Sequence, residues 1–318
     1  MDGGHISPNV ALIIGLITGI LASALVAALH AVLSIHYKID QVISGTVINL
    51  LAAGITDYAA NVYIDPSHLS GVGVFPVLPI PVLSQIPFFG KIFFSHQPLV
   101  YLMFALVAFL QYAIFHTPWG LRMRSVGEHP RAADTVGINV NRTRYINIIL
   151  AGALAGLGGA FLVLESVGRF QKLMTSGRGF IALAVMIFGR WTPVGGFGAA
   201  LLFGLAEALS VRLQFGDINH IYALVLIIGL VLLAVGAFQL ARKWLPKYKS
   251  NLSYVSITSL LLLGAGTLVV AHQIKFPAIV IPIEFLGLLP YILTLLVLTG
   301  FVRKAVAPAA IGRPYEKQ

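Results

Sequence analysis

The stretch Ile221-Tyr-Ala-Leu-Val-Leu-Ile-Ile-Gly-Leu-Val-Leu-Leu-Ala-Val-Gly-Ala237 decides the fold class. It carries no charge from end to end, and its apolar residues run on without a period of two. A membrane strand needs dyad alternation. In lipid, backbone N–H and C=O groups must be satisfied inside the spanning structure, which leaves helices or closed barrels. The run is therefore a helix that crosses a bilayer. Similar runs recur along the whole chain, of which 58% is hydrophobic and 10% charged. Mean hydropathy is +0.90, and a soluble domain carries about 25% charged residues. The expectation is an all-α integral membrane protein, a polytopic bundle of about nine transmembrane or re-entrant helices.

The segments are Asn9–Leu33, Val42–Ile64, Pro98–His116, Tyr145–Leu164, Arg178–Phe188, Phe197–Leu213, Ile218–Leu240, Ser253–Ala271 and Ala278–Gly300. They form a single transmembrane domain, residues 1–318. Arg178–Phe188 is short: as a helix it rises about 16 Å against a hydrocarbon core of about 30 Å. Either Gln171–Gly177 extends it, or it is a broken helix shielded by protein. Residues 65–97 are apolar yet hold Pro66, Pro76, Pro79, Pro81 and Pro87, which argues against a regular helix and for an external loop on the membrane surface. Placing 117–144 in the cytoplasm, with alternate connections following, leaves only Lys91, Arg169, Lys172, Arg178, Arg212 and Lys275 of the 21 Lys and Arg outside. That asymmetry obeys the positive-inside rule. It puts the amino terminus outside and residues 189–196 inside. Two GxxxG patterns, Gly15–Gly19 and Gly152–Gly156, suit close helix packing.

Several functions are excluded. The net charge of +10 is spread over loops, with no basic stripe interleaved with aromatics, so nucleic acid is not a partner. There is no cysteine, which removes disulfides and thiol chemistry. No GxxxxGK[ST] and no HExxH occurs, so neither ATP hydrolysis nor the common zinc-protease chemistry is expected; no catalytic residue, metal or cofactor is assigned. Asn9–Leu33 is longer than a signal-peptide core and lacks a basic lead.

Two segments have the character of partner contacts. One is the amphipathic connection Trp119–Ile138. The other is Gly179–Gly196, where an apolar run ends in Gly189-Arg190-Trp191-Thr192-Pro193 and turns at Gly195. Arg and Trp anchor interfaces, although both also sit at headgroup level for lipid reasons. These segments resemble the permease subunits of ABC importers of the branched-chain amino acid and simple sugar superfamily, in particular the nucleoside subfamily associated with basic-membrane-protein lipoproteins. Gly120–Ile138 resembles the family's GLRxRAxGExPxAAxxxGI. Gly177–Gly195 resembles its coupling region, GxGFIALAxxIFGRWxPxG. Asp40–Leu51 resembles its DQVxSGxxxNLLA helix, and Ala307–Tyr315 fits its tail. Family members begin with a further hydrophobic segment like SGVVNIGLEG.

The resemblance implies a nucleoside permease of the cell (plasma) membrane that carries out no chemistry. Its expected partners are a cytoplasmic ATP-binding subunit, a second permease subunit, an extracytoplasmic substrate-binding lipoprotein and the lipid bilayer. Gly189, Arg190, Trp191, Thr192, Pro193 and Gly195 would contact the ATPase. A simple sugar or branched-chain amino acid permease is the alternative. Polar groups inside spans are candidate functional sites. Asn49, Asp57 and Asn61 lie near one face of Val42–Ile64, and Glu207 lies inside Phe197–Leu213. They are candidates for a substrate path, with interhelical hydrogen bonding as the other reading. For His30 and Gln111 the hydrogen-bonding reading is preferred. The rival classes are an intramembrane enzyme using Asp57, Glu165 and Glu207, which lacks any paired motif, and a stand-alone channel or carrier, which would not need the Arg190–Trp191 turn.

Overall fold

The computed structural model describes residues 7–63, 73–87, 89–215, 229, 233, 254–273, 288 and 306–316. The predicted segments Ile218–Leu240 and Ala278–Gly300 lie almost wholly outside them. The described chain is mostly helical. Helix α1 (Pro8–Ala31) continues as a π-helical turn to His36, and α2 is Gln41–Tyr63. Then come β1 (Leu78–Pro79), a 3-10 turn, α3 (Phe89–Phe93) and β2 (Ser95–His96). Next are α4 (Pro98–His116), α5 (Pro118–Glu128), α6 (Pro130–Thr135) and α7 (Val140–Phe161), the last running into a π-helical turn at Leu162–Val167. Helices α8 (Arg178–Phe188), α9 (Pro193–Phe215) and α10 (Tyr254–Gln273) follow.

Among the described residues, five helices are long and apolar enough to cross a membrane: Pro8–His36, Gln41–Tyr63, Pro98–His116, Val140–Val167 and Pro193–Arg212. The helical membrane class is borne out; the count of about nine is not confirmed. Helix α8 has the bounds read from sequence, and the residues before it form turns, so it is not lengthened from its amino end. The proline-rich loop is more ordered than expected. Its two short strands pair antiparallel, Leu78 opposite His96 and Pro79 opposite Ser95. The connection 117–144 is largely helical, with Thr117 and Asn139 capping α5 and α7 through their side chains.

The chain divides into two compact units, Met1–Ala199 with Lys304–Gln318, and Ala200–Arg303. In the first, α1 and α7 run antiparallel in close contact, and both GxxxG patterns face this seam. A Cβ added at Gly156 would lie 2.7 Å from Ser23 Cβ and 2.8 Å from the Gly19 carbonyl oxygen; one added at Gly152 would collide with Ala27 Cβ. Gly19 faces Ala160. Small residues four apart on both helices remove the side-chain layer, so backbones touch and dispersion replaces the missing hydrophobic effect. At one end of the seam, Leu12, Phe75 and Leu99 form a buried cluster with Leu16 and Leu164 against it. The Phe75 amide donates to the Leu164 carbonyl, 3.0 Å, and pins the proline-rich loop there. In the second unit, Ile257 is fully buried and Gly264 of α10 abuts Leu233.

Candidate coupling turn and polar path

The α8–α9 connection is a knot of hydrogen bonds. The Gly189 amide donates to Val185 O (2.8 Å), Arg190 to Ile187 O (3.0 Å) and Trp191 to Met186 O (3.1 Å). Arg190 and Trp191 both have left-handed backbones, φ +56° and +59°. Each costs about 1–2 kcal/mol in a residue with a Cβ, so surrounding contacts must hold them. Thr192 supplies the clamp: its Oγ1 donates to Gly189 O (2.8 Å) and accepts from the Gly195 amide (3.1 Å), capping α9, while Pro193 starts the helix. Gly189 and Gly195 are pressed so closely that a Cβ on either would fall inside the other's backbone. Gly189 is buried, Trp191 half-buried and Arg190 exposed. The result is a rigid knob presenting one cation and one indole.

Contacts with α4 fix the depth of this knob. Gln111 Oε1 accepts from the Val194 amide, 3.3 Å, and Phe104 meets Phe197 edge to face at 5.7 Å. Gln111 lies in the last two turns of α4, close to Thr117. Its expected interhelical role is met. The other end of α8 is preceded by a turn whose Lys172 pairs with Asp57, about two turns inside the end of α2. Helix α8 therefore bridges two depths that its neighbours already occupy. Its length is about 16 Å, but none of its residues is buried among the described ones and Phe180 and Leu183 are exposed, so the shielding expected of a broken helix is not seen within this chain.

Asn49, Asp57 and Asn61 are all exposed on α2. Lys172 Nζ lies 2.7 Å from Asp57 Oδ1 and donates to Asn61 Oδ1 at 2.6 Å, while Asn61 Nδ2 approaches Asp57 Oδ2 at 3.4 Å. Sequence reasoning found no cation near Asp57 on its own helix; the partner arrives from 115 positions downstream (172 − 57). Glu207 is exposed within α9, in the second unit. His30 Nδ1 bonds Ser44 Oγ, 3.0 Å, tying α1 to α2. Glu165 is buried in the π-helical turn after α7, where Oε1 accepts from the Leu99 amide at 2.7 Å. It supplies the cap that Gln97 does not give α4. Its Oε2 is buried without a hydrogen-bond partner among the described residues.

A family model described as "Branched-chain amino acid transport system / permease component" matches residues 4–236. The guanosine ABC transporter permease protein NupQ of Bacillus subtilis is 36% identical over 286 residues, 89% of this chain and 71% of that protein. The nucleoside ABC transporter permease protein NupC of Lactococcus lactis is 33% identical over 287 residues, 90% of this chain and 72% of that one. The chain belongs to this permease family. It is a multi-pass permease subunit of an ABC importer in the plasma membrane, a transport subunit rather than an enzyme. The putative glucose permease TsgC13 of Haloferax volcanii is 35% identical over 186 residues, 57% of this chain and 55% of its own. No solved structure matches this permease significantly.

Sequence reasoning missed Lys172 as a partner of Asp57 and Glu165 as a cap. A cation in a polar loop is ordinary, and only the folded turn brings Lys172 to α2. For Glu165 there was a faint signal: an acidic residue at the end of an apolar run.

Proposed function

We propose that this permease imports nucleosides and is driven by an ATP-binding subunit docked on Gly189–Gly195. The observation that supports the docking is the knob itself. A turn held in a strained, left-handed backbone transmits force without yielding, and its exposed Arg190 offers a cation to an acidic groove on the partner. The relatives that cover most of this chain are a guanosine and a nucleoside permease. A sugar is the second reading, favoured by the glucose permease relative. Competition of labelled guanosine uptake by unlabelled nucleosides and by glucose separates the two; inhibition by glucose alone would overturn the nucleoside reading.

In the first unit the path would use Asn49, Asp57 and Asn61, and Lys172 now joins them; Glu207, in the second unit, is a separate candidate. Asp57 and Lys172 together are neutral, which suits a neutral ligand with hydroxyls and ring nitrogens. An exposed ion pair facing lipid would be expensive, so water, substrate or a second permease subunit is expected against this face of α2. The full assembly would hold two permease subunits, two ATPases and an extracytoplasmic binding lipoprotein. For the docking claim, Arg190→Glu combined with Trp191→Ala should abolish uptake while the protein still reaches the membrane. Normal uptake in that variant would sink it.

A further inference from the structure

The segment 306–316 lies against three helices and one connection of the first unit. The Ala310 amide donates to the Gly127 carbonyl, 2.9 Å, and the Ala309 amide to Glu128 Oε2, 3.2 Å. These bonds fall on the last turn of α5, where helix carbonyls lack internal partners. Arg144 of α7 donates through Nη1 to the Arg313 carbonyl, 2.9 Å. Tyr315 packs with Ile138 on the buried cluster of Val126, Ala133 and Val140, one residue each from α5, α6 and α7. Burial raises its phenol pKa, and the Asp134 carboxylate lies near enough to the hydroxyl to raise it further. Next to it, Glu316 pairs with Lys38, in the connection between α1 and α2.

We propose that Tyr315 and Glu316 are positioning residues for transport: they lock α5, α6 and α7 to the Lys38 connection, so that these cytoplasmic pieces move as one body with the coupling turn. This rests on the reading of Gly189–Gly195 as the ATPase contact. The mechanical chain is continuous. The turn is held to α4 by Gln111. Helix α4 is held to α5 by Gly120, whose missing side chain lets it sit on the Ala113 and Ile114 carbonyls. From α5 one route runs directly through Val126 and Val140 to α7 and its seam with α1; the segment adds a second, through Glu316 to Lys38 and so to the start of α2 and the Asn49–Asn61 face. Without the segment, the Lys38 connection has no tie to α5 or α6 among the contacts described. Spatial continuity is not itself coupling, so the claim needs a coupling measurement.

The Lys38–Glu316 pair allows one, because it is exposed on both sides and such pairs add little to folding stability. Lys38→Glu and Glu316→Lys, alone and combined, are to be compared in proteoliposomes containing the whole importer. Each single reversal should lower uptake by about two- to thirtyfold at an unchanged membrane level and Tm, and the charge swap should restore it. Single reversals that transport normally, or a swap no better than either, would overturn the proposal. A second arm uses the cysteine-free background: Lys38→Cys with Glu316→Cys, joined by a reductant-cleavable bis-maleimide that spans the length of the lost side chains, should keep transporting. Loss of uptake on cross-linking, reversed by reductant, would mean that the segment must detach, and the rigid-body claim fails. The Arg190→Glu/Trp191→Ala variant runs alongside. If it transports normally the docking reading has failed; if it is dead while the reversals are silent, only this inference has.

Discussion

Replacing Gly195 by alanine tests whether the proposed coupling turn works by being rigid. The new methyl would overlap the Gly189 carbonyl and lie 2.6 Å from Thr192 Oγ1. Ordinary contacts need about 3.4 Å or more, so the Thr192 clamp must open. The lost cap costs about 1 kcal/mol, and forcing a methyl into a packed site adds about 1–3 kcal/mol. Together the turn is weakened by roughly 2–4 kcal/mol, enough to populate an open form. Arg190→Gly is the counter-test: it removes the cation yet relieves about 1–2 kcal/mol of left-handed strain. In reconstituted importer, Gly195→Ala should lower Tm and uptake together. Arg190→Gly should lower uptake while Tm holds or rises. Gly195→Ala with wild-type Tm and uptake would refute the rigid turn, and a lower Tm for Arg190→Gly would refute the strain argument.

The remaining predictions concern the path, the orientation and the segment 306–316. Asp57→Leu should cripple uptake with ATPase docking intact and Asp57→Asn should harm it less; normal transport by Asp57→Leu would move the search to Glu207. Cysteine placed at Ser70, outside the described residues, should be labelled by an impermeant reagent on intact cells and one at Ser125 should not; the reverse would overturn the charge-based orientation. Lys38, by hydrogen bond and charge, holds the Glu316 carboxyl below its ordinary pKa. A lowered folded-state pKa stabilises docking above the ordinary value and loses that stabilisation as pH falls through the lowered one. Limited proteolysis of the segment should therefore speed up only in acid below about pH 4; acceleration between pH 6 and 8 would show that other groups govern docking.

Much of the fold was legible in the sequence because hydropathy is a local property. Pro98–His116 and Arg178–Phe188 were read to the residue, since proline and glycine punctuate them and no distant partner is needed to make a run apolar. The turn at Gly189–Gly195 was singled out by resemblance. Its left-handed Arg190 and Trp191 were not legible, because residues with a Cβ adopt that backbone only when packing compels it.

By itself, then, the sequence determined that the chain lives in a membrane as helices: too few charges exist to solvate it otherwise. It also determined that small residues four apart would form a seam, though not that the two GxxxG patterns would share it. Tertiary structure alone decided the pairings: Lys172 with Asp57, Glu165 with the Leu99 amide, Glu316 with Lys38. The physical reason is range. Hydrophobic burial in lipid is fixed residue by residue, whereas an ion pair or a cap is fixed by which distant segment the packed helices bring within about 3 Å.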